Sequence, residues 1–448
     1  MNFLRLDITS GIRALYAIML LLALMPIAAM AEPHKLDMQA LEKLTMDYSP
    51  LIKQAMANRD AARARQIESQ GAYLPQLSAE ANVRNTHIDR GSSGNPQSED
   101  QQSQEAGLYL SQTLFDYSSW SNIKSTATQV LAYDEQVRNV HNIVLSEVRQ
   151  AYFTARIAEK LLEVAQEMEK DTLAFRERMR IMLESGLVPQ LDLARAEYDL
   201  AEATRNVISA QSDMRKAYAC LALAVGMDEI YYMRLKGEVQ ARGEIFSYDE
   251  EKLVQMALKF HPEVKRLDYM AQAAQYAIDE SMGGHLPVLT FQGNLGRSGD
   301  YSFDNDVHSY GIYMSLPLFQ GFRVQGAVMQ YQALYRVAHQ ALIQARLDAQ
   351  RNMHVAYQNL QETLAKVKVS QTQVVSAEEN WRLVESRYQE GMATPLELSE
   401  ARTNRFQALA LLASDEITVL SSLAVLDEAA GGALFPFEYQ RRQTGYDH

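Results

Sequence analysis

The sequence Glu184-Ser-Gly-Leu-Val-Pro-Gln-Leu-Asp-Leu193 has a second version 205 residues later, Gln389-Glu-Gly-Met-Ala-Thr-Pro-Leu-Glu-Leu398. In each version a glycine and a proline interrupt two long runs of apolar residues with helical spacing. Glycine after one helix and proline near the start of the next predict a tight turn between antiparallel helices. Two such turns in matching surroundings indicate that the chain contains an internal duplication.

The similarity between the two halves continues on both sides of these turns. Further pairs match in order: Ser49-Pro50 with His261-Pro262, Leu74-Pro75 with Leu286-Pro287, Ala151-Tyr152 with Ala356-Tyr357, and Gly226 with Gly431. We therefore predict a first repeat over 32–226 and a second over 249–431. A linker at 227–248 joins the repeats, and a C-terminal tail at 432–448 follows them.

The first 31 residues have the features of a signal peptide. Arg5 and Arg13 precede an apolar run at 14–28, and Ala29-Met30-Ala31 fits a small-residue cleavage site. The run is short for a membrane-spanning helix, and no later run of eighteen apolar residues follows. We therefore expect an exported mature chain without a membrane-spanning helix.

The charge of the chain excludes one class of partner, and its single cysteine predicts a buried position. The formal net charge is −13, and no basic cluster is present, so we expect no binding to nucleic acid. The single cysteine, Cys220, lies in an apolar run with helical spacing, which predicts a packed position in the core.

A segment in each repeat alternates between apolar and polar residues, as a β-strand with two different faces does. The apolar positions are Leu77, Ala79, Ala81 and Val83 in the first repeat and Leu289, Phe291, Gly293 and Leu295 in the second. A return strand follows each time, and the second is expected to include Leu316 and Leu318. The pattern predicts β-hairpins at about 76–115 and 288–319.

Strands of roughly ten residues with one apolar and one polar face suit a transmembrane β-barrel with a water-filled lumen. A hairpin packed on a soluble core would show the same alternation. Four strands cannot close a barrel, and open strand edges in hydrocarbon leave backbone groups unpaired. A membrane location therefore requires an oligomer, with eight strands from two chains or twelve from three.

The longest predicted elements follow the hairpins. No proline or glycine occurs in the 67 residues from Ser118 to Glu184, enough for a helix about 100 Å long. Apolar residues in this stretch recur at steps of three and four, which is typical of a coiled-coil seam. We predict long helical hairpins at about 118–225 and 322–430.

These features together resemble the TolC-like outer-membrane efflux protein family over nearly the whole mature chain. The motifs that carry the resemblance are Leu-Pro before each first strand, Leu318-Phe319-Gln320-Gly321 after the last strand, and the two glycine turns followed by Leu-Asp-Leu or Leu-Glu-Leu. The resemblance implies a mixed, mainly α-helical fold: a homotrimer whose twelve strands form one outer-membrane β-barrel. A periplasmic coiled-coil barrel of long α-helices would continue it.

The resemblance also implies a function and partners. We expect an outer-membrane exit duct of a tripartite export system, served by a periplasmic adaptor and an inner-membrane pump of the RND, ABC or MFS type. A conduit for type I protein secretion is the alternative, and a periplasmic coiled-coil scaffold or adhesin is a more remote one. Outer-membrane lipid would surround the barrel.

Four residues near the turns match family positions that gate the periplasmic entrance. Glu397 and Glu400 stand three residues apart on one helical face. In the family the matching acidic pair lines the constriction, so the resemblance implies that three chains place six carboxylates around the axis, where they attract cations. The alternative is that these acids stabilise the start of the helix through its dipole. Asp192 and Tyr388 match positions whose polar bonds hold the entrance shut, whereas the arginine expected in the second turn is Ala393.

The turns themselves are expected to dock onto the adaptor. The residues of this expected surface are Glu184, Gly186, Leu187, Val188, Pro189, Glu390, Gly391, Met392, Thr394 and Pro395. Left-handed capping of the helix ends is a simpler role for the two glycines, and the two roles are compatible.

No pattern in the sequence points to catalysis. The nine histidines are scattered without metal-ligand spacing, and neither a phosphate-binding glycine loop nor a nucleophile elbow is present. We expect no enzyme activity, no metal site and no cofactor.

Overall fold

The computed structural model describes residues 35–90, 97–227, 234–235, 249–300 and 302–434. The predicted signal peptide, most of the linker at 227–248 and most of the C-terminal tail lie outside these residues.

Both halves of the chain contain the same elements in the same order. The first half consists of β1 (Lys35–Leu36), α1 (Met38–Tyr48), α2 (Pro50–Gln70), β2 (Gln76–Arg90), β3 (Gln97–Phe115), α3 (Tyr117–Glu184) and α4 (Gln190–Val225). The second consists of β4 (Arg234–Leu235), α5 (Glu250–Phe260), α6 (Pro262–Met282), β5 (Val288–Asp300), β6 (Asn305–Ser315), α7 (Arg323–Gln389) and α8 (Pro395–Ala429). The short strands β1 and β4 pair in parallel and join the beginnings of the two halves.

The two hairpins form one antiparallel sheet, which has four strands within the described residues, in the order β2-β3-β5-β6. The register aligns apolar positions across all four strands, as in the row Leu77, Leu110, Gly293 and Tyr310. Large side chains on this apolar face are exposed in the single chain, and Tyr310 is 85 % exposed. The described sheet thus has an uncovered apolar face and two open edges, at β2 and β6.

The strands of the first hairpin are longer than the roughly ten residues expected. Strands β2 and β3 have 15 and 19 residues. Their pairing continues through polar residues, as far as Arg90 opposite Gln97. The hydrogen bonds between strands join backbone groups and do not depend on the side chains. The strands therefore continue beyond the alternating apolar residues from which their length was predicted.

The last strand is shorter than the sequence predicts. Strand β6 ends at Ser315, opposite Val288, where its partner strand begins. Residues beyond Ser315 therefore have no partner in β5, and Pro317 has no N–H to donate to a ladder. Leu316 and Leu318 lie in the connection to α7 instead of in the return strand.

Long helices connect the sheet with the two predicted turns. Helices α3 and α7 have 68 and 67 residues, and α4 and α8, with 36 and 35 residues, return along them. The main core lies near the middle of the long helices, where the short helices α1 and α5 pack against them. Its residues include Leu41, Tyr152, Leu221, Leu253, Met353 and Leu423.

The matched proline and glycine positions of the duplication are in contact with each other. Gly226 and Gly431 follow the ends of α4 and α8 with φ of 84° and 76°. A Cβ atom on Gly226 would lie 3.2 Å from the Cα of Ser49, and one on Gly431 would lie 2.8 Å from the Cα of His261. In each half, the end of the returning helix therefore supports the start of the helix that leads to the sheet, which explains why these positions match.

A buried ion cluster joins the N-terminal and C-terminal parts of the core. Arg149 on α3 lies 2.5 Å from Glu42 on α1 and 2.8 Å from Asp427 on α8. Asp427 also accepts a hydrogen bond from the backbone N–H of Leu434, at 3.0 Å. The three charged side chains are largely or almost completely buried, so each depends on the others to neutralise its charge.

The predicted core position of Cys220 is wrong, whereas the expectation that the mature chain has no membrane-spanning helix stays a prediction. By length and composition alone, helix α8 is apolar enough to cross a membrane. Its residues Val419, Leu423 and Leu426 pack in the main core, so helix packing accounts for part of its apolar character. Cys220 is exposed, because its position on α4 faces away from the core that buries the neighbouring Leu221.

Candidate functional site at the helical tips

The first tip turn ends α3 in a Schellman motif. Gly186 has a φ of 69°, and its N–H donates to the carbonyl of Leu183 at 2.9 Å. The N–H of Leu187 reaches back to the carbonyl of Met182, also at 2.9 Å. These two bonds satisfy carbonyl groups that would otherwise lack a partner at the end of the helix.

The second tip turn repeats the same motif at the end of α7. Gly391 has a φ of 76° and donates to the carbonyl of Tyr388 at 3.0 Å, while Met392 donates to that of Arg387 at 2.8 Å. The side chain of Arg387 adds a hydrogen bond to the carbonyl of Met392, at 3.1 Å. No atom would lie within 4 Å of a Cβ at Gly186 or Gly391, so the backbone conformation alone favours glycine.

The residues expected to dock onto an adaptor lie mainly at the surface. Val188 and Pro395 are partly buried, and the other eight residues of that set are exposed. Leu187 and Met392 occupy equivalent places in the two turns and are 72 % and 60 % exposed. Glu184 pairs with Arg180 on its own helix at 2.7 Å. Each turn thus presents a large apolar side chain to solvent, in a backbone held by its own hydrogen bonds.

Glu397 is held in a capping box at the start of α8. Its backbone N–H donates to the hydroxyl of Thr394 at 3.3 Å, and its carboxylate accepts from the N–H of Thr394 at 2.7 Å. The backbone and side-chain hydrogen bonds from Thr394 lower the pKa of Glu397. This arrangement corresponds to the helix-start role that the sequence left open as the alternative to a gate.

Glu400 differs from Glu397 in its surroundings. It lies one turn further along α8 and is exposed, and it makes no hydrogen bond or ion pair with any residue that the structure describes. The two acids that the sequence treats as a pair therefore have different roles in the single chain. The carboxylate of Glu397 already has partners, whereas that of Glu400 is available to a ligand.

Tyr388 and Asp192 lie close enough to interact electrostatically. Burial raises the pKa of Tyr388, and the carboxylate of Asp192 raises it further. The hydroxyl of Tyr388, however, points to the sulfur of Met179 at 3.5 Å, and its ring centroid lies 6.3 Å from that of Phe175. Tyr388 therefore contacts α3 through apolar and weakly polar atoms.

A small apolar cluster holds the four helices together at the tips. Its buried members are Phe175, Met179, Ala196 and Leu398, and Met182, Leu193, Trp381, Val384 and Tyr388 pack against them. Leu193 and Leu398 are the last residues of the duplicated stretch. Both contribute to this cluster, which explains why leucine is repeated there.

Arg402 is a site residue that the sequence analysis missed. Its side chain is only 4 % exposed, and its Nε lies 2.8 Å from an oxygen of Asp171 on α3. The guanidinium carbon is 4.5 Å from the centre of the Phe175 ring, which is cation–π geometry. The available signal was its spacing, because Arg402 lies four residues after Leu398, where a buried helical face would continue.

The resemblance implies an arginine at the position of Ala393, and the two nearby arginines, Arg387 and Arg195, lie elsewhere in the tip. Arg387 donates to the carbonyl of Met392, and Arg195 is exposed on α4.

In the described part of the chain, no group of three or more histidine, cysteine, aspartate or glutamate side chains is arranged to hold a metal ion.

Comparison with known proteins identifies a family model and relatives that match most of this chain. The family model described as "Outer membrane efflux protein" covers residues 43–227 and 253–432. The outer membrane protein TolC of Salmonella enteritidis is 25 % identical over 402 residues, which cover 86 % of this chain and 79 % of TolC. The alkaline protease secretion protein AprF of Pseudomonas aeruginosa is 24 % identical over 410 residues, covering 86 % and 84 % of the two chains.

Solved structures have the same fold. The CmeC outer membrane channel of Campylobacter jejuni superposes with a TM-score of 0.78 at 16 % identity, covering 91 % of this chain and 88 % of CmeC. The outer membrane protein VceC of Vibrio cholerae gives a TM-score of 0.76 at 17 % identity, with 88 % and 96 % coverage. The expected fold class, a β-sheet continued by long helical hairpins as in outer-membrane channels, is confirmed.

Proposed function

The chain belongs to the outer membrane efflux protein family, and from this premise we propose that it is the exit duct of a tripartite export system. Its strands lie in the outer membrane and its helices in the periplasm. In the proposed assembly, three copies form the duct, a periplasmic adaptor binds the helical tips, and an inner-membrane pump supplies the energy. The duct itself carries out no chemical reaction.

The observation that carries this proposal is the four-stranded sheet with its open edges. Unpaired strand edges and an exposed apolar face are unfavourable in a protein surrounded by water. Pairing of β6 in one copy with β2 in the next removes both edges, and lipid covers the apolar face. Three copies then supply twelve strands, and the polar face lines a lumen.

We propose that the acidic residues near the second tip turn control passage at the periplasmic entrance. Glu400 supplies an available carboxylate, and Glu397 supplies a second one that is partly engaged by Thr394. A ring of carboxylates in a narrow pore attracts cations and is blocked by those that bind it tightly. The contacts of Tyr388 with Met179 and Phe175 hold the helices in place around this entrance, with the carboxylate of Asp192 nearby.

The exposed tip turns are the proposed docking surface for the adaptor. Leu187 and Met392 offer apolar contacts at equivalent positions of the two repeats. The Schellman motifs hold both turns in one conformation, so little ordering of the backbone is needed on binding.

Protein secretion is a second candidate function. AprF, which is named for alkaline protease secretion, is about as similar to this chain as TolC is. The two functions differ in the pump and the cargo, not in the duct. Cross-linking in the native cells, followed by identification of the attached pump, distinguishes an efflux partner from a protein-secretion partner.

Single-channel recording in a planar bilayer tests the duct. We expect a cation-selective current from the purified oligomer, blocked by millimolar trivalent cations, and loss of this block in Glu397→Gln/Glu400→Gln. Glu184→Gln, an acid at the other tip, is the matched control and should stay blockable. If the double variant is blocked like the wild type, Glu397 and Glu400 do not form the gate. A folded oligomer without current would contradict the duct.

A further inference from the structure

We propose that the hydrogen bond from Tyr109 to Glu105 holds a tyrosine ring flat against the wall of the barrel lumen and thereby sets the size of the largest cargo that can pass. This inference rests on the proposed function, in which the polar face of the sheet lines the lumen. It concerns the strands in the membrane and is independent of the gate at the helical tips.

The duplication repeats a Gly-x-Tyr motif within the sheet. Gly107-Leu108-Tyr109 lies in β3, and Gly311-Ile312-Tyr313 lies in β6, 204 residues later. Side chains of a strand alternate between its two faces, so the glycine and the tyrosine of each motif share the polar face, opposite the apolar residue between them. Each tyrosine therefore has a position without a side chain two residues before it on its own face.

In the second motif the tyrosine leans over its glycine. A Cβ atom on Gly311 would lie 3.4 Å from Cε2, 3.5 Å from Cζ and 3.5 Å from the hydroxyl oxygen of Tyr313. Aromatic side chains cover glycines of strands in this manner, because the ring packs on backbone that has no side chain of its own. Among the described residues the hydroxyl of Tyr313 has no hydrogen-bond partner, and Tyr313 is 54 % exposed.

In the first motif the tyrosine is also held at its hydroxyl. The hydroxyl of Tyr109 donates to a carboxylate oxygen of Glu105 at 2.9 Å. Both residues lie on the same face of β3, and four residues of a strand span about 13 Å. The two side chains can meet only by lying along the strand, past Gly107. Tyr109 is accordingly partly buried, whereas Tyr313, which has no such bond, is exposed.

The wall beside the Tyr109 ring has no side chains of its own. Gly107 of β3 pairs with Gly296 of β5. A Cβ atom on Gly107 would lie 2.9 Å from the carbonyl oxygen of Leu295, and one on Gly296 would lie 2.5 Å from that of Ala106. The close approach of the two backbones therefore requires glycine at both positions. Tyr109 is the large side chain next to this bare stretch, so its rotamer decides the width of the lumen there.

The bond with Glu105 selects between two positions of the ring. Side chains of a strand stand roughly perpendicular to the sheet. Without the bond, the Tyr109 ring would turn away from the wall and project into the lumen. In three copies, three rings would project at the same level and narrow the passage. Glu105 thus acts on the lumen as a positioning residue, through Tyr109.

Polymer exclusion in a planar bilayer tests the proposal. Poly(ethylene glycol) of increasing size is added on the extracellular side, from which it enters the barrel before it reaches the helical tips. The largest polymer that still changes the single-channel conductance measures the lumen. We expect Tyr109→Phe, which keeps the ring and the carboxylate but loses the bond, to shift this limit to smaller polymers. Tyr313→Phe is the matched control and should keep the wild-type limit.

Two further variants separate the bond from the charge and from the ring. Glu105→Gln removes the charge but keeps an oxygen that accepts the hydrogen bond, so the limit should stay near that of the wild type. Tyr109→Ala has no ring that could project, so its limit should not fall below that of the wild type. A shift to smaller polymers in either variant, as large as that in Tyr109→Phe, would overturn the proposal.

The outcomes also separate this proposal from the function it rests on. If a folded, conducting Tyr109→Phe oligomer has the wild-type limit, the ring stays at the wall without the bond, and Glu105 does not set the width. An equal shift in Tyr109→Phe and Tyr313→Phe would contradict the specific role of the bond as well. If the wild type forms a folded oligomer without current, the duct function itself fails.

Discussion

The carboxylate of Glu397 accepts hydrogen bonds from both the backbone N–H and the hydroxyl of Thr394, at 2.7 and 3.0 Å. The side chain is thereby directed back toward the helix start. Glu400, one turn later, has no such partner among the described residues. Two acids that look equivalent in the sequence are thus expected to contribute unequally to the gate.

The first prediction concerns this inequality. We expect Glu400→Gln to weaken block by trivalent cations more than Glu397→Gln does, because Thr394 already occupies the Glu397 carboxylate. Single-channel recordings across a range of blocker concentrations measure the difference.

Thr394→Ala serves as the matched control for this comparison. It removes the hydroxyl bond without changing the number of charges, so block should be retained or strengthened. Equal loss of block in Glu397→Gln and Glu400→Gln would show that Glu397 leaves the capping box in the assembled duct.

The second prediction concerns the contact between Gly431 and His261. In Gly431→Ala, the left-handed conformation costs about 1–2 kcal/mol. The new Cβ would also lie 2.8 Å from the Cα of His261, which forces a backbone shift. We expect a clear decrease in the urea concentration at the midpoint of unfolding. Far-ultraviolet circular dichroism of the protein in detergent measures this midpoint.

Gly71→Ala is the control for the second prediction. Gly71 has a right-handed helical conformation, and no atom lies within 4 Å of a Cβ built there. Alanine at such a position is neutral or slightly stabilising. If the two variants shift the midpoint equally, the close approach of Gly431 to His261 is not important for stability.

The third prediction concerns the buried ion cluster. Arg149→Met leaves Glu42 and Asp427 buried without their cation, so we expect a loss of about 3–5 kcal/mol in the free energy of unfolding. Arg382→Met, which removes an exposed pair with Glu379, should leave the free energy of unfolding almost unchanged, because solvent screens that pair. Urea titrations of both variants give the comparison. A similar, small loss in both would mean that the cluster is hydrated or rearranged in the assembly.

The fourth prediction concerns pH and His141, which lies on α3 outside the membrane strands. Burial lowers the pKa of His141 from 6.5 to about 4. Between these values the unfolded chain binds a proton that the folded chain does not, so stability falls as the pH decreases below 6.5. At about pH 5 the expected loss from this group is about 2 kcal/mol per chain relative to about pH 7.5.

The comparison of His141→Gln with the wild type isolates this contribution. The loss of stability on acidification over that range should be smaller by the same amount in the variant. His285→Gln, at an exposed histidine, should lose as much as the wild type. An identical pH dependence in all three proteins would contradict the buried, neutral state of His141.

The sequence by itself determined the repeated order of elements, the hairpins and the long helices. These depend on local rules: a period of two for strands, steps of three and four for helices, and glycine or proline at their ends. Gly186 and Gly391 have the left-handed conformation that their places after apolar runs predict. The family motifs are of the same kind, because each lies within a few consecutive residues.

Only the tertiary structure decided which side chains meet across the bundle. Arg402 and Asp171 lie in different halves of the chain, and Arg149 joins partners 107 and 278 residues away. Such contacts depend on how helix faces are rotated and aligned over many turns, and a small change in either moves a side chain to another neighbour. The exposure of Cys220 and the engagement of Glu397 by Thr394 follow from the same placement of helix faces and side-chain rotamers, which composition and spacing do not specify.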